Sequence, residues 1–247
     1  MKTGASRPIL LPVSLSHSFT RRPELPDNMT QAMPNGMREP KPAGTGFEGI
    51  ALYPGLVGEA AQASLVEALM AALEVEKPYR PLMPRTGKPW SVRQMNFGEM
   101  GWVSRPDGYG YALTNPVNGR KWPAIPAALL TLWENVARYP APPECCLVNL
   151  YDTPKSRMGL HRDEDEEALD APVVSVSLGD TCAFRIGGFA RGDKSKSLRL
   201  ASGDVLVIGG PSRLRYHGVD RIIPGSSRLV PGGGRINLTL RRVTKPD

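Results

Sequence analysis

Apolar residues recur at helical spacing in two stretches, and over much of the C-terminal half they alternate with polar ones in short runs. From Gly58 to Val75 the chain reads GEAAQASLVEALMAALEV, which puts Leu65, Val66, Leu69, Met70 and Leu73 on one helical face. Pro78 ends that helix. A second helix is predicted near Ile125 to Tyr139, with Leu129, Trp133 and Val136 on one face and Pro126 tolerated in its first turn. After Pro143 the period shortens. Gly, Asp and Pro punctuate eight candidate strands: Glu144–Tyr151, Gly159–Asp163, Pro172–Leu178, Cys182–Gly187, Ser197–Ala201, Asp204–Gly209, Arg213–Val219 and Gly234–Val243. Eight short strands at this spacing predict a mainly β domain with flanking helices, built as a double-stranded β-helix, or jelly roll. No internal repeat is present.

Residues 1 to 46 differ from the rest. They hold seven prolines (Pro8, Pro12, Pro23, Pro26, Pro34, Pro40 and Pro42) and no sustained period. Such a segment buries too little apolar surface to offset its ordering entropy, so it is expected to be a flexible basic tail. Its six basic and three acidic residues supply +3 of the chain's net +7. Pro8 and Pro12 interrupt its short apolar patch, which argues against a signal peptide. The expected division is therefore 1–46 tail, 47–143 helices and connecting segment, and 144–247 jelly-roll core.

With 247 residues, 40% of them hydrophobic, the chain can pack one sizeable core, which excludes wholesale disorder. A pI near 9.5 permits a polyanionic partner without requiring one. The charge is also patterned. Lys77 to Lys121 holds eight basic residues against only Glu99 and Asp107, interleaved with Tyr79, Trp90, Trp102, Tyr109 and Tyr111. That texture suits a nucleic-acid surface, and equally a solvated hairpin. Of the three cysteines, Cys145 and Cys146 are adjacent, so no ordinary disulfide framework can be drawn and a reducing cytoplasm is expected. No apolar run approaches the ~18 residues of a membrane span.

Only two histidines follow the tail. His161 opens His161-Arg162-Asp163, and His217 comes 54 residues after Asp163. Two histidines and one carboxylate on one metal face are the ligand set of non-haem Fe(II) oxygenases. If residues 159–163 form a strand, His161 and Asp163 point to one side. The run HRDEDEE also reads as a solvated acidic surface. The final strand favours the first reading. RINLTLR places Arg235, Asn237, Thr239 and Arg241 on one face and Ile236, Leu238 and Leu240 on the other. Two inward arginines are costly unless anions meet them, and a small dianion would meet both. Asn149 and Tyr151, also two apart, could donate to the same anion.

At these residues the sequence resembles the AlkB family of Fe(II)- and 2-oxoglutarate-dependent dioxygenases. The resemblance runs from about Phe47 to Val243 and rests on NLY (149–151), HRD (161–163), PVVSVSLG (172–179), RLRYHG (213–218) and RINLTLR (235–241). It implies that His161, Asp163 and His217 hold Fe(II). It further implies that Arg235, Asn149 and Tyr151 bind the distal carboxylate of 2-oxoglutarate, with Arg241 and Asn237 at the other end. O2 is the second cosubstrate. The segment NFGEMGWVSRPDGYGY looks like the family's substrate lid and points to Trp102, Tyr109 and Tyr111. Asp165, two residues beyond Asp163, is expected on the metal-facing side of the same strand, where it could accept from a base's exocyclic amine. Arg191 matches a family position that contacts substrate. The implied reaction removes N-methyl groups from bases such as 1-methyladenine and 3-methylcytosine as formaldehyde, repairing DNA, with RNA as a second candidate partner. A monomer is expected. Two other classes stay open at this point: a related oxygenase acting on a protein or small molecule, and a non-catalytic nucleic-acid-binding module.

Overall fold

The computed structural model describes residues 33–246. Its elements, in chain order, are β1 (Ala43–Gly44), β2 (Ile50–Tyr53), α1 (Glu59–Val75), β3 (Arg93–Gly98), β4 (Gly101–Arg105), β5 (Gly108–Ala112) and α2 (Ala127–Val136). They continue with β6 (Cys145–Tyr151), β7 (Met158–His161), β8 (Val173–Gly179), β9 (Thr181–Ile186), β10 (Lys196–Leu200), β11 (Val205–Ile208), β12 (His217–Ile223) and β13 (Arg235–Arg241). Seven strands form one sheet in the order β1-β2-β11-β8-β13-β6-β3, and four form a second in the order β10-β9-β12-β7. The described residues are thus mainly β, with two α-helices flanking a jelly roll.

Strand alternation divides the large sheet into two faces. Ile236, Leu238 and Leu240 of β13, Cys146, Val148 and Leu150 of β6, and Val174, Val176 and Leu178 of β8 all join one core. Leu65, Val66 and Leu69 of α1 and Leu129, Leu132 and Trp133 of α2 cover it. The intervening residues look toward the smaller sheet. There a second core gathers Tyr151, Phe184, Ile186, Leu206, Ile208 and Val219. Beside it the polar side chains of β6, β8 and β13 line a cleft.

The structure differs from the sequence reading in four places. First, residues 33–46 are not outside the folded domain: Met33 and Met37 pack against the main core. The Gly36 carbonyl accepts the Gly58 N–H at the start of α1 (2.8 Å), a position with no side-chain cap. Residues 1–32, including His17, lie outside the described residues. Second, Pro126 is the residue before α2 rather than within its first turn. Third, the strand expected over Arg213–Val219 begins only at His217. Pro211 sits in a short 3-10 turn, Gly210–Ser212, and Arg213 turns inward to bond elsewhere. Fourth, β7 stops at His161, two residues before Asp163.

Candidate active site

One cleft of about 630 Å³ opens between the two sheets, and His161, Asp163 and His217 sit within it. One ligand atom from each lies within 4.8 Å of the other two. His161 and His217 are direct cross-strand partners in β7 and β12. Gly218 makes that approach possible, because a Cβ there would come within 2.6 Å of the Met158 carbonyl and 2.8 Å of that of Gly159. Each ring is oriented from behind. Nδ1 lies 2.9 Å from the Gly159 carbonyl in His161 and 3.0 Å from the Arg215 carbonyl in His217. Nδ1–H donation to these carbonyls leaves both Nε2 lone pairs facing Asp163, the tautomer a metal ligand needs. Burial, aided by the neighbouring His161, lowers the His217 pKa to about 4 and keeps the ring neutral.

Asp163 is not held by strand pleating. Its carbonyl accepts from Arg213 Nη1 at 2.6 Å, and its carboxylate pairs with Arg241 Nη2 at 2.9 Å. Burial alone would raise the carboxyl pKa. The Arg241 charge, helped by His217, His161 and Arg213, outweighs it and holds the group well below the usual carboxylate range. Both arginines also meet Glu166: Arg213 Nη2 at 2.9 Å and Arg241 Nε at 3.5 Å. Tyr111 completes the set by donating its hydroxyl to Glu166. Two cations and two carboxylates are therefore buried together, each with a partner, beneath the metal face.

The β13 face supplies a second feature. Arg235 is only 2% exposed and spends one N–H on Ser177 Oγ at 3.0 Å. Its Nε and Nη1 are buried and have no hydrogen-bond partner among the described residues. The guanidinium lies 5.1 Å from the Tyr151 ring centre. Burial pushes the Tyr151 hydroxyl up to about 12, with the Arg235 charge opposing, so it stays a proton donor. Asn149 bridges Gln94 (2.8 Å) and Asn237 (3.2 Å), and Asn237 in turn donates to Ser175 Oγ at 2.8 Å. A buried guanidinium with unmatched donors, flanked by a neutral hydroxyl and an amide, fits a carboxylate of a bound acid.

Aromatic rings form the rim. Trp102 and Tyr109 stack at 5.1 Å and 25°, and Trp90 lies tilted at 5.6 Å from Trp102 and edge-on at 6.0 Å from Tyr109. Trp102 donates its Nε1–H to Asp165 at 2.8 Å, and Asn96 clamps its backbone through two hydrogen bonds. On the opposite rim Arg191 and Arg162 both lie over the Tyr216 ring, at 5.4 and 5.6 Å.

The pattern of the 2OG-Fe(II) oxygenase superfamily matches residues 49–241. An "Alpha-ketoglutarate-dependent dioxygenase AlkB homolog" of Caulobacter vibrioides is 54% identical over 194 residues, covering 78% of this chain and 87% of the relative. The AlkB dioxygenase of Escherichia coli is 39% identical over 176 residues, 70% of this chain and 81% of its own. The chain is an AlkB-family 2OG-Fe(II) dioxygenase. The solved structure of OsALKBH1 superposes with a TM-score of 0.64 at 31% identity, over 78% of this chain and 98% of that one. A less similar relative, 33% identical over 57% of this chain and 48% of its own, is named a tRNA demethylase in Schizosaccharomyces pombe.

The residues fit what the dioxygenase requires, since the three ligand atoms converge and the buried arginine has donors to spare. Three sequence expectations need correcting in detail. Tyr111 does not line the cleft; its hydroxyl is committed to the buried Glu166 network. Asp165 reaches the rim from the loop after β7 rather than by strand pleating. Arg241 lines the cleft and pairs with Asp163 through one of its N–H groups. The amide nitrogen of Asn237 is spent on Ser175 and Val176. Two contributors escaped sequence reasoning. Trp90 was only one of several spaced aromatics, and Glu166 looked like its solvent-facing neighbours. The paired cations Arg213 and Arg241 mark Glu166, but they are distant in sequence.

Proposed function

We propose that this dioxygenase oxidatively demethylates N-alkylated nucleobases of the 1-methyladenine and 3-methylcytosine type in DNA, and in RNA as well. It would thereby reverse alkylation damage directly and release formaldehyde. His161, Asp163 and His217 would hold Fe(II), and Arg235, Tyr151 and Asn149 would seat 2-oxoglutarate. The bound metal with oxoglutarate and O2 supplies the power to oxidise an N-methyl C–H bond. The rest is the work of this chain. Arg241 keeps Asp163 ionised as a ligand and, with Asn237, orders the polar floor. Trp102, Tyr109 and Trp90 offer π faces to a flat cationic base, and Asp165 stands where an exocyclic amine can donate. Arg191 at the opposite rim suits a backbone phosphate.

The observation that carries this reading is that one cleft holds both the ligand set and an aromatic-plus-carboxylate rim. A base methylated at a ring nitrogen bears the positive charge that such a rim favours. We also place the protein in the cytoplasm, in line with three buried free cysteines, and read it as acting as a monomer.

The test compares formaldehyde release from oligonucleotides carrying cationic 1-methyladenine or neutral 1-methylguanine. Asp165→Ala is expected to depress the cationic substrate more steeply, while Glu164→Ala preserves the wild-type preference. Equal losses on both lesions would remove Asp165 from base recognition. No formaldehyde from either lesion with the wild-type protein would remove the function.

A further inference from the structure

Residues 215–217 run outward from the metal site, and each faces a different zone. His217 points at the metal face, and Tyr216 lies at the rim beneath Arg191 and Arg162. The Arg215 guanidinium is stacked between two phenylalanine rings, 5.1 Å from the centre of Phe47 and 4.6 Å from that of Phe189. Arg215 does not swing freely. Its Nε donates to Ser212 Oγ at 3.0 Å and its Nη1 to the Gly187 carbonyl at 3.1 Å. The Gly187 N–H and Tyr216 N–H then tie the β9–β10 turn to this segment, bonding the Tyr216 and Gly188 carbonyls at 2.7 and 2.9 Å.

Phe189 stands on that turn and is 53% exposed, a large aromatic ring spent on no core. The turn reads GGFARGDKSK, so Arg191, Lys194 and Lys196 follow Phe189 closely in sequence, and its single acid is committed locally. Asp193 accepts the Ala190 N–H at 2.9 Å, shaping the turn. Of these cations, Lys196 lies 5.9 Å from the Phe47 ring and donates to the Thr45 carbonyl. An exposed aromatic face backed by a fixed guanidinium, on a turn rich in basic residues, matches a base together with its phosphates. It does not suit an apolar partner, which would have to desolvate those charges.

We propose that Phe189, backed by Arg215 and Phe47, is a stacking platform for an unpaired nucleotide flanking the target base in the same polynucleotide strand. The proposal rests on the demethylase reading above and extends it beyond the cleft. The strand leaves the cleft over Tyr216, its phosphates meet Arg191 and Lys194, and the neighbouring base lies on Phe189. The shared chemistry is that of a single-stranded polynucleotide, and matched deoxyribose and ribose strands separate the two sources.

The experiment measures binding of the full chain, loaded with Fe(II) and 2-oxoglutarate under nitrogen, to a fluorescent single-stranded oligonucleotide bearing one 1-methyladenine. Phe189→Ala is expected to raise Kd about tenfold, the scale of one lost base–aromatic stack. Phe189→Tyr should stay near wild type. On a strand stripped of every base except the target, wild type and Phe189→Ala should bind alike. The proposal is overturned if Phe189→Ala binds the intact strand like wild type, if Phe189→Tyr loses as much as Phe189→Ala, or if the alanine penalty persists on the stripped strand. Admitting O2 to the same complexes reads the demethylase function separately. Binding that follows this pattern without formaldehyde would leave the platform standing and sink the reaction.

Discussion

Arg235 and Tyr109 face the same cleft, yet one is 2% exposed on an interior strand of a seven-stranded sheet and the other 45% exposed on a two-stranded hairpin. The floor is held by strands bonded on both sides. β13 pairs with both β6 and β8 along its length, so the spacing of Arg235, Asn237 and Arg241 cannot drift. The rim has no such ladder. β4 and β5 pair only with each other, and side chains tie that hairpin down: Asn96 to the Trp102 backbone, Trp102 to Asp165 and Tyr111 to Glu166. Chemistry that must be the same for every substrate sits where the backbone is over-determined. Contacts that must admit a bulky nucleotide sit where it is not.

The largest effect that could break this contrast lies under the floor. Glu166→Ala leaves Arg213 and Arg241 without their shared carboxylate and should cost about 3–5 kcal/mol of fold stability in urea denaturation. Glu167→Ala, next door but exposed, should stay within about 0.5 kcal/mol. If the two variants melt alike, the buried charge network does not organise the floor.

Arg235→Ala comes next. It removes the buried donors that have no protein partner, and should weaken 2-oxoglutarate by about 3 kcal/mol, on the order of a hundredfold in Kd, as read by calorimetry. Tyr151→Phe removes one neutral hydroxyl and should cost about 1 kcal/mol. Equal losses would mean that the carboxylate is not seated on the guanidinium.

The smallest effect belongs to the rim. Tyr109→Ala should leave the melting midpoint and 2-oxoglutarate affinity near wild type. It should raise KM for a methylated oligonucleotide by about 1 kcal/mol, roughly fivefold. A large loss of stability would show that the hairpin is part of the core after all.

The same contrast explains what could be read from the sequence. The floor was legible because a period of two is a strong signal. Arg235, Asn237, Thr239 and Arg241 alternate with three aliphatic residues, and β13 presents those two sets to the cleft and to the helices. His161 and His217 were legible as the only histidines beyond the tail. Asp163 joins them, but for a reason the spacing did not contain: arginines far along the chain place it, while β7 has already ended. Glu166 was invisible because nothing local separates it from Glu164 or Glu167. The ring of Trp90 obeys no period, since it lies outside any strand and packs on Trp102 and Tyr109 from a separate segment. Residues 33–46 were masked by proline composition, although Met33 and Met37 carry enough apolar surface to dock.

The central claim is that floor and rim act on one substrate in one cleft. The most direct test counts succinate and formaldehyde together, with Fe(II), 2-oxoglutarate and O2, in the presence of a 1-methyladenine oligonucleotide and of its unmethylated twin. Equal amounts of the two products with the methylated strand, and little of either with the twin, are expected. Succinate formed at the same rate with both strands and without formaldehyde would contradict the account.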